Sequence, residues 1–227
     1  MAAQDLLQAL LASAVSSLCF AIVVVIGSCA RCRAAFLCGD RNAWGPDSLK
    51  PTTYVHWFGT FALPALLAGF GSPVVIGFSK PVRIDYAALP DTDRGTVLVS
   101  LASPAACFGV ALAATLILLA GGGVTDPTAT WMDFALAQLV VTGVWLGIFV
   151  LLPLPGLDGG RIAAILFPNT LGPVLKALWP QARLILLALI CIPPGLGRLL
   201  DAPLDVLGWI MNAMAMPIAL GLMDLAR

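Results

Sequence analysis

The stretch Phe149-Val150-Leu151-Leu152-Pro153-Leu154-Pro155-Gly156-Leu157-Asp158-Gly159-Gly160-Arg161 decides how the rest of the chain is read. One apolar run leads into it and another leaves it. Pro153, Pro155 and Gly156 cannot continue a helix, because proline removes a backbone donor and clashes with the preceding turn. The carbonyls freed by such a break need partners inside protein or at a wet cavity. A carboxylate follows at Asp158, and a charge at the centre of a span costs about 2.5–3.5 kcal/mol on insertion scales. Asp158 therefore has two readings: an ordinary N-cap for a short helix running through Arg161 to Leu166, or the polar centre of a site.

Working outward, six stretches approach the roughly 20 apolar residues that a membrane-spanning helix needs. They are Leu6–Ile26, continuing less cleanly to Cys38, then Tyr54–Phe78, Gly95–Ala120, Trp131–Leu152, Leu175–Ile192 and Leu204–Met223. The second is interrupted by Pro64 and Gly69-Phe70-Gly71. The connections are short and hold most of the charges. The expected fold is an all-α integral membrane protein of about six transmembrane helices, forming one domain over 1–227 with the lipid bilayer around it. The opening MAAQD has no basic residue, and the apolar run after it exceeds a signal-peptide core, so it reads as a retained first span. A narrow majority of Lys and Arg on one side places both termini in the cytoplasm by the positive-inside rule.

Composition narrows the function classes. The 227 residues are 60% hydrophobic and 11% charged, against about 25% charged in soluble domains. All 12 acidic residues are Asp, and His56 is the single histidine. Without Glu and with one His, the chain has no HExxH zinc-protease helix and no two-His metal centre. Net charge is zero, so no broad basic surface for nucleic acid is expected. Cys19, Cys29, Cys32, Cys38, Cys107 and Cys191 lie in or beside apolar runs, where cysteine behaves as a small hydrophobe. Cys29-x2-Cys32, with Cys38 nearby, has a zinc-ligand spacing but lacks a second CxxC. His56, beside Tyr54 and Trp57, reads as an interfacial residue at the mouth of a span.

Leu151 to Arg161, LLPLPGLDGGR, resembles the "NLLPIPPLDG" signature of the site-2 proteases, the intramembrane zinc metalloproteases. Other blocks agree in the same order. Leu37-Cys38-Gly39-Asp40 is similar to the family's "LGDPTA", Phe58-Gly59-Thr60 with Leu63-Pro64 to "IGTLLLP", and Gly77-Phe78-Ser79-Lys80-Pro81-Val82 to "GWAKPVPV". Arg94-Gly95 with Leu101-Ala102-Ser103-Pro104 resembles "RxG…LAGP". The resemblance covers about 20–167 and implies a site-2-protease-like bundle, with two additional C-terminal spans over about 175–223.

The departures from that pattern fall on the chemistry. Counting back from Gly39-Asp40, the family's HExxH corresponds to Gly27-Ser28-Cys29-Ala30-Arg31. Both zinc-binding histidines are thus replaced, by Gly27 and Arg31, and the glutamate base by Ser28. Of the ligand positions only Asp158 is retained. Val150 and Cys107 stand where the family has asparagines. A catalytic zinc needs three protein ligands to hold its water, so neither a metal nor another cofactor is expected. Arg31 is expected to substitute for the ion and pair with Asp158, with the bidentate geometry open to a guanidinium. The rivals are a local pair with Arg161, three residues on, and a protonated Asp158.

Three functions compete on this reading. The first is a catalytically inactive relative acting as a binding, scaffold or accessory subunit for other membrane proteins. The second is an active metallopeptidase with unconventional ligands from Cys29, Cys32 and Asp158. The third is a transporter or lipid-binding protein on the same bundle, using the broken helices.

Overall fold

The computed structural model describes residues 3–63, 65, 77, 79–80, 82, 84–89, 91–122, 130–182, 184–189 and 206–225. Over these the chain is helical and has no strand. The principal helices are α1 (Ala3–Leu37), α2 (Thr92–Ala120), α3 (Trp131–Leu151), α4 (Asp158–Leu166), α5 (Leu171–Leu178) and α6 (Val206–Leu225).

Four of them, α1, α2, α3 and α6, are long and apolar enough to cross a membrane. These correspond to the first, third, fourth and sixth expected spans. The second expected span lies mostly outside the described residues, including Pro64 and Gly69-Phe70-Gly71. Its first part is a wide, π-helical turn over Trp57–Ala62. The fifth, expected over 175–192, is not one continuous helix where it is described. Its start belongs to α5, which ends in a tight turn over Trp179–Gln181, and helix resumes over 184–189. Pro180 in that turn removes a donor and interrupts the ladder.

Local chemistry sets the helix starts. The Asp91 carboxylate accepts the Arg94 N–H at 3.3 Å before α2, and the Thr130 hydroxyl accepts the Asp133 N–H at 3.1 Å before α3. Each satisfies a donor that the first helical turn leaves open.

Small residues let the helices approach. α2 packs between α1 and α3, and α6 packs against α3. Ala111, Ala114 and Leu118 of α2 meet Val140, Val144 and Ile148 of α3 and Met211, Ala215 and Ala219 of α6 in one buried core. The indole N–H of Trp145 donates to Asn212 Oδ1 at 3.1 Å, joining α3 to α6. Leu98, Leu101, Leu112, Leu116 and Leu119 of α2 face outward, as a helix bordered by acyl chains permits.

After α3 the break at Leu152–Leu157 turns the chain back so that α4 packs on α2 and α3. Glycine makes this possible. A Cβ on Gly159 would land on the Leu151 carbonyl, and one on Gly160 on the Leu154 carbonyl. The Gly-Gly pair thus allows the first turn of α4 to lie against the broken backbone that precedes it.

Candidate functional site

Asp158 is the first residue of α4, and Leu157 takes the N-cap position without a side-chain cap. The capping reading of Asp158 is therefore corrected. Its carboxylate turns inward instead, where it is 1% exposed. Oδ2 accepts from Arg31 Nη2 of α1, and Oδ1 accepts from Arg161 Nη1 at 3.3 Å. The two pairs weighed as rivals from the sequence coexist, one on each oxygen.

Arg161 is fixed by more than charge. Its Nη1 also donates to the Tyr86 hydroxyl at 2.8 Å. Its guanidinium lies over the Tyr86 ring at 4.5 Å and the Trp179 ring at 5.1 Å. Such stacking suits a planar, weakly hydrated cation. Burial raises the Tyr86 phenol above its usual range, against the opposing pull of Arg161, so Tyr86 is a neutral hydroxyl here.

Gly27 and Ser28 lie one turn before Arg31 on α1. A Cβ on Gly27 would meet Ser103 Oγ at 3.1 Å and Cys107 Sγ at 3.3 Å. α2 therefore fills the space that a longer side chain at 27 would need. Ser28 is buried, as are Ser100 and Ser103 of α2. Two polar atoms in this layer, Arg31 Nε and Ser100 Oγ, are buried without a hydrogen-bond partner among the described residues.

The other candidates are engaged elsewhere. Cys29 Sγ donates to the Ser48 carbonyl at 3.6 Å. Tyr54 places its hydroxyl 2.7 Å from the same carbonyl and 3.4 Å from Cys32 Sγ. Cys19, Cys29, Cys32, Cys38 and Cys107 are free thiols, and Cys191 lies outside the described residues. His56 is exposed, and its Nδ1 accepts the Gly59 N–H at 3.2 Å, capping the wide turn.

Among the described residues, no three His, Cys, Asp or Glu side chains come together as a metal ion requires. Both oxygens of the one family-type ligand are occupied by guanidinium groups. The residues present do not fit a catalytic zinc, and no chemical step is derived through one.

Sequence reasoning passed over Tyr86, Trp179 and Ser100. Tyr86 carried a usable signal, since the chain has two tyrosines and a phenol in such apolar sequence needs a partner.

The chain matches no family model and no solved structure. Over 197 residues it is 28% identical to the protein named "Putative zinc metalloprotease YwhC" of Bacillus subtilis (strain 168), in a match that takes in 81% of this chain and 84% of that protein. This distant similarity supports at most a likeness to the site-2-protease-like zinc metalloproteases.

Proposed function

We propose that the protein is a catalytically inactive, site-2-protease-like, multi-pass membrane protein that serves as a binding, scaffold or accessory subunit for other membrane proteins, its chain forming one domain. The observation that carries this reading is the occupancy of Asp158. In a zinc-binding relative this carboxylate would face the ion; here Arg31 and Arg161 supply the opposing charge. The packing of Gly27 on Ser103 and Cys107 adds support, because an imidazole at 27 would require α1 and α2 to separate. The apolar outer faces of the bundle, such as Leu98, Leu112 and Leu116 of α2, are surfaces on which partner helices can pack.

The test joins metal content to activity. Protein purified in mild detergent and supplied with zinc should hold well under about 0.1 zinc per chain, against the near-stoichiometric ion that a catalytic site keeps. It should leave model transmembrane peptides uncut while co-purifying with a defined membrane protein. Stoichiometric zinc with peptide cleavage would favour the metallopeptidase reading through Cys29, Cys32 and Asp158. A monomer with no companion would remove the subunit role.

A further inference from the structure

The cluster around Asp158 does not balance. Arg31 and Arg161 bring two positive charges to one carboxylate. Among the described residues, the charged groups that act on the half-buried Tyr86 hydroxyl are Arg161, Arg31 and Asp158. Among the described residues one positive charge is thus left over in a layer of low dielectric, where an uncompensated ion is costly. Acceptors are also too few. Among the described residues Arg31 Nε is buried without one, and Asp158 has already given one oxygen to each arginine. The layer is closed on the α2 side, where Gly27 meets Ser103 and Cys107. The arginine side chains nevertheless stay 22% and 24% exposed, so their outer edges remain open.

The surroundings indicate the kind of anion. Arg161 lies on α4 and stacks on Trp179, which follows α5. These two short helices expose Leu166, Phe167, Leu171 and Val174. Their buried positions, Ala163 of α4 and Gly172 and Leu175 of α5, lie on the opposite side, toward the protein. A short helix with one apolar face open beside Arg and Trp is the pattern of an element lying in a membrane interface. The phosphate of a lipid lies at that depth, carries the compensating charge, and accepts from a guanidinium fork. Its acyl chains would run along Leu166, Phe167, Leu171 and Val174.

We propose that Arg31 and Arg161, oriented by Asp158, form a binding site for the phosphate head group of an anionic phospholipid whose acyl chains lie along α4 and α5. This rests on the inactive-centre reading above, because a metal at Asp158 would displace Arg31.

The test is native mass spectrometry of the full chain in detergent, with dioleoylphosphatidylglycerol, dioleoylphosphatidylcholine, inorganic phosphate or oleate added separately. Phosphatidylglycerol should be retained about tenfold more tightly than phosphatidylcholine, the difference expected for one well-placed charge contact. Arg161→Gln and Arg31→Gln, which each remove the surplus charge, should abolish that preference. Asp158→Asn, nearly isosteric, should strengthen it by leaving two uncompensated guanidiniums. This opposite sign separates a binding role from a merely structural one, and circular dichroism checks that each variant is folded.

Equal retention of both lipids, or a preference unchanged in Arg161→Gln, would overturn the site. Inorganic phosphate binding as well as the lipid would overturn the lipid assignment, and selective retention of oleate alone would overturn the phosphate assignment. Zinc measured on the same sample distinguishes the two readings. Zinc-free protein without lipid selectivity defeats this inference alone, whereas stoichiometric zinc defeats the inactive-centre reading as well.

Discussion

Asp158 and Asp40 are buried almost equally, at 1% and 2% exposure, but they are held in opposite ways. Asp158 faces two long cationic side chains from α1 and α4. Asp40, in the loop after α1, faces backbone: Oδ1 accepts the Asn42 N–H at 3.1 Å and Oδ2 accepts the Asp85 N–H at 2.8 Å. Amide donors belong to the fold, and no single side-chain substitution other than proline removes them. Guanidinium donors are contributed by replaceable residues, and they bring charge with them. Asp40 therefore ties the loop after α1 to the segment entering α2, with no counter-ion among the described residues. Asp158 depends on the identity of two residues far apart in sequence, Arg31 and Arg161.

The two carboxylates differ most at Arg31. Arg31→Ala leaves Asp158 buried with Arg161 alone, and truncating one partner of a buried pair costs about 3–5 kcal/mol. Chemical denaturation in micelles should show a loss in the lower part of that range, since the Arg31 side chain keeps some exposure. If the variant unfolds at the wild-type midpoint, the pair contributes nothing to the fold. Gly159→Ala tests position rather than charge. Its Cβ would meet the Leu151 carbonyl, so α4 must shift and carry Asp158 away from Arg31. Overpacking of this kind costs about 1–3 kcal/mol, and a value at the upper end is expected because the obstacle is backbone. In Asp158→Asn, which already lacks the charge pair, the added cost of Gly159→Ala should shrink. Strict additivity would show that the glycine serves packing alone.

These two residues also mark how far the sequence could be read. The helix break, the carboxylate after it and the arginine on α1 were legible because each is an anomaly in an apolar run. Hydropathy located α1, α2, α3 and α6 for the same reason. The fifth expected span, over 175–192, is not one continuous helix where it is described, because hydropathy counts apolar residues without regard to backbone. The run is apolar, yet Pro180 breaks its ladder and α5 ends there. The stacking of Arg161 between Tyr86 and Trp179 was hidden differently. Its three members come from separate segments, and no local period links them. Arg31 and Arg161 read as alternative partners of Asp158, because a sequence does not show that one carboxylate presents two separate edges. Asp40 was seen as part of a family-like block, but its partners are backbone amides, which carry no signature in a sequence.

The smallest expected effect sharpens the contrast at Asp40. Asp40→Asn keeps the shape and one carbonyl oxygen, and turns an amide NH2 toward the second backbone donor. One of the two N–H bonds is lost together with its charge assistance. A hydrogen bond to a charged group is worth about 1.5–3 kcal/mol, and the retained bond brings the expected loss to about 1–2 kcal/mol. Its location matters more than its size. Asp40 Oδ2 has the shorter bond, to the Asp85 amide, while Oδ1 reaches Asn42 within the same loop. Hydrogen exchange should therefore quicken at Asn42 or at Asp85, whichever faces the new NH2, and leave the amides of α4 unchanged. Arg31→Ala should do the reverse, loosening α4 and sparing the loop at Asp40. If both substitutions accelerate exchange over the same residues, the two buried carboxylates act as one cooperative unit. The distinction between a carboxylate held by backbone and one held by side chains would then be a difference of chemistry without a difference of mechanical role.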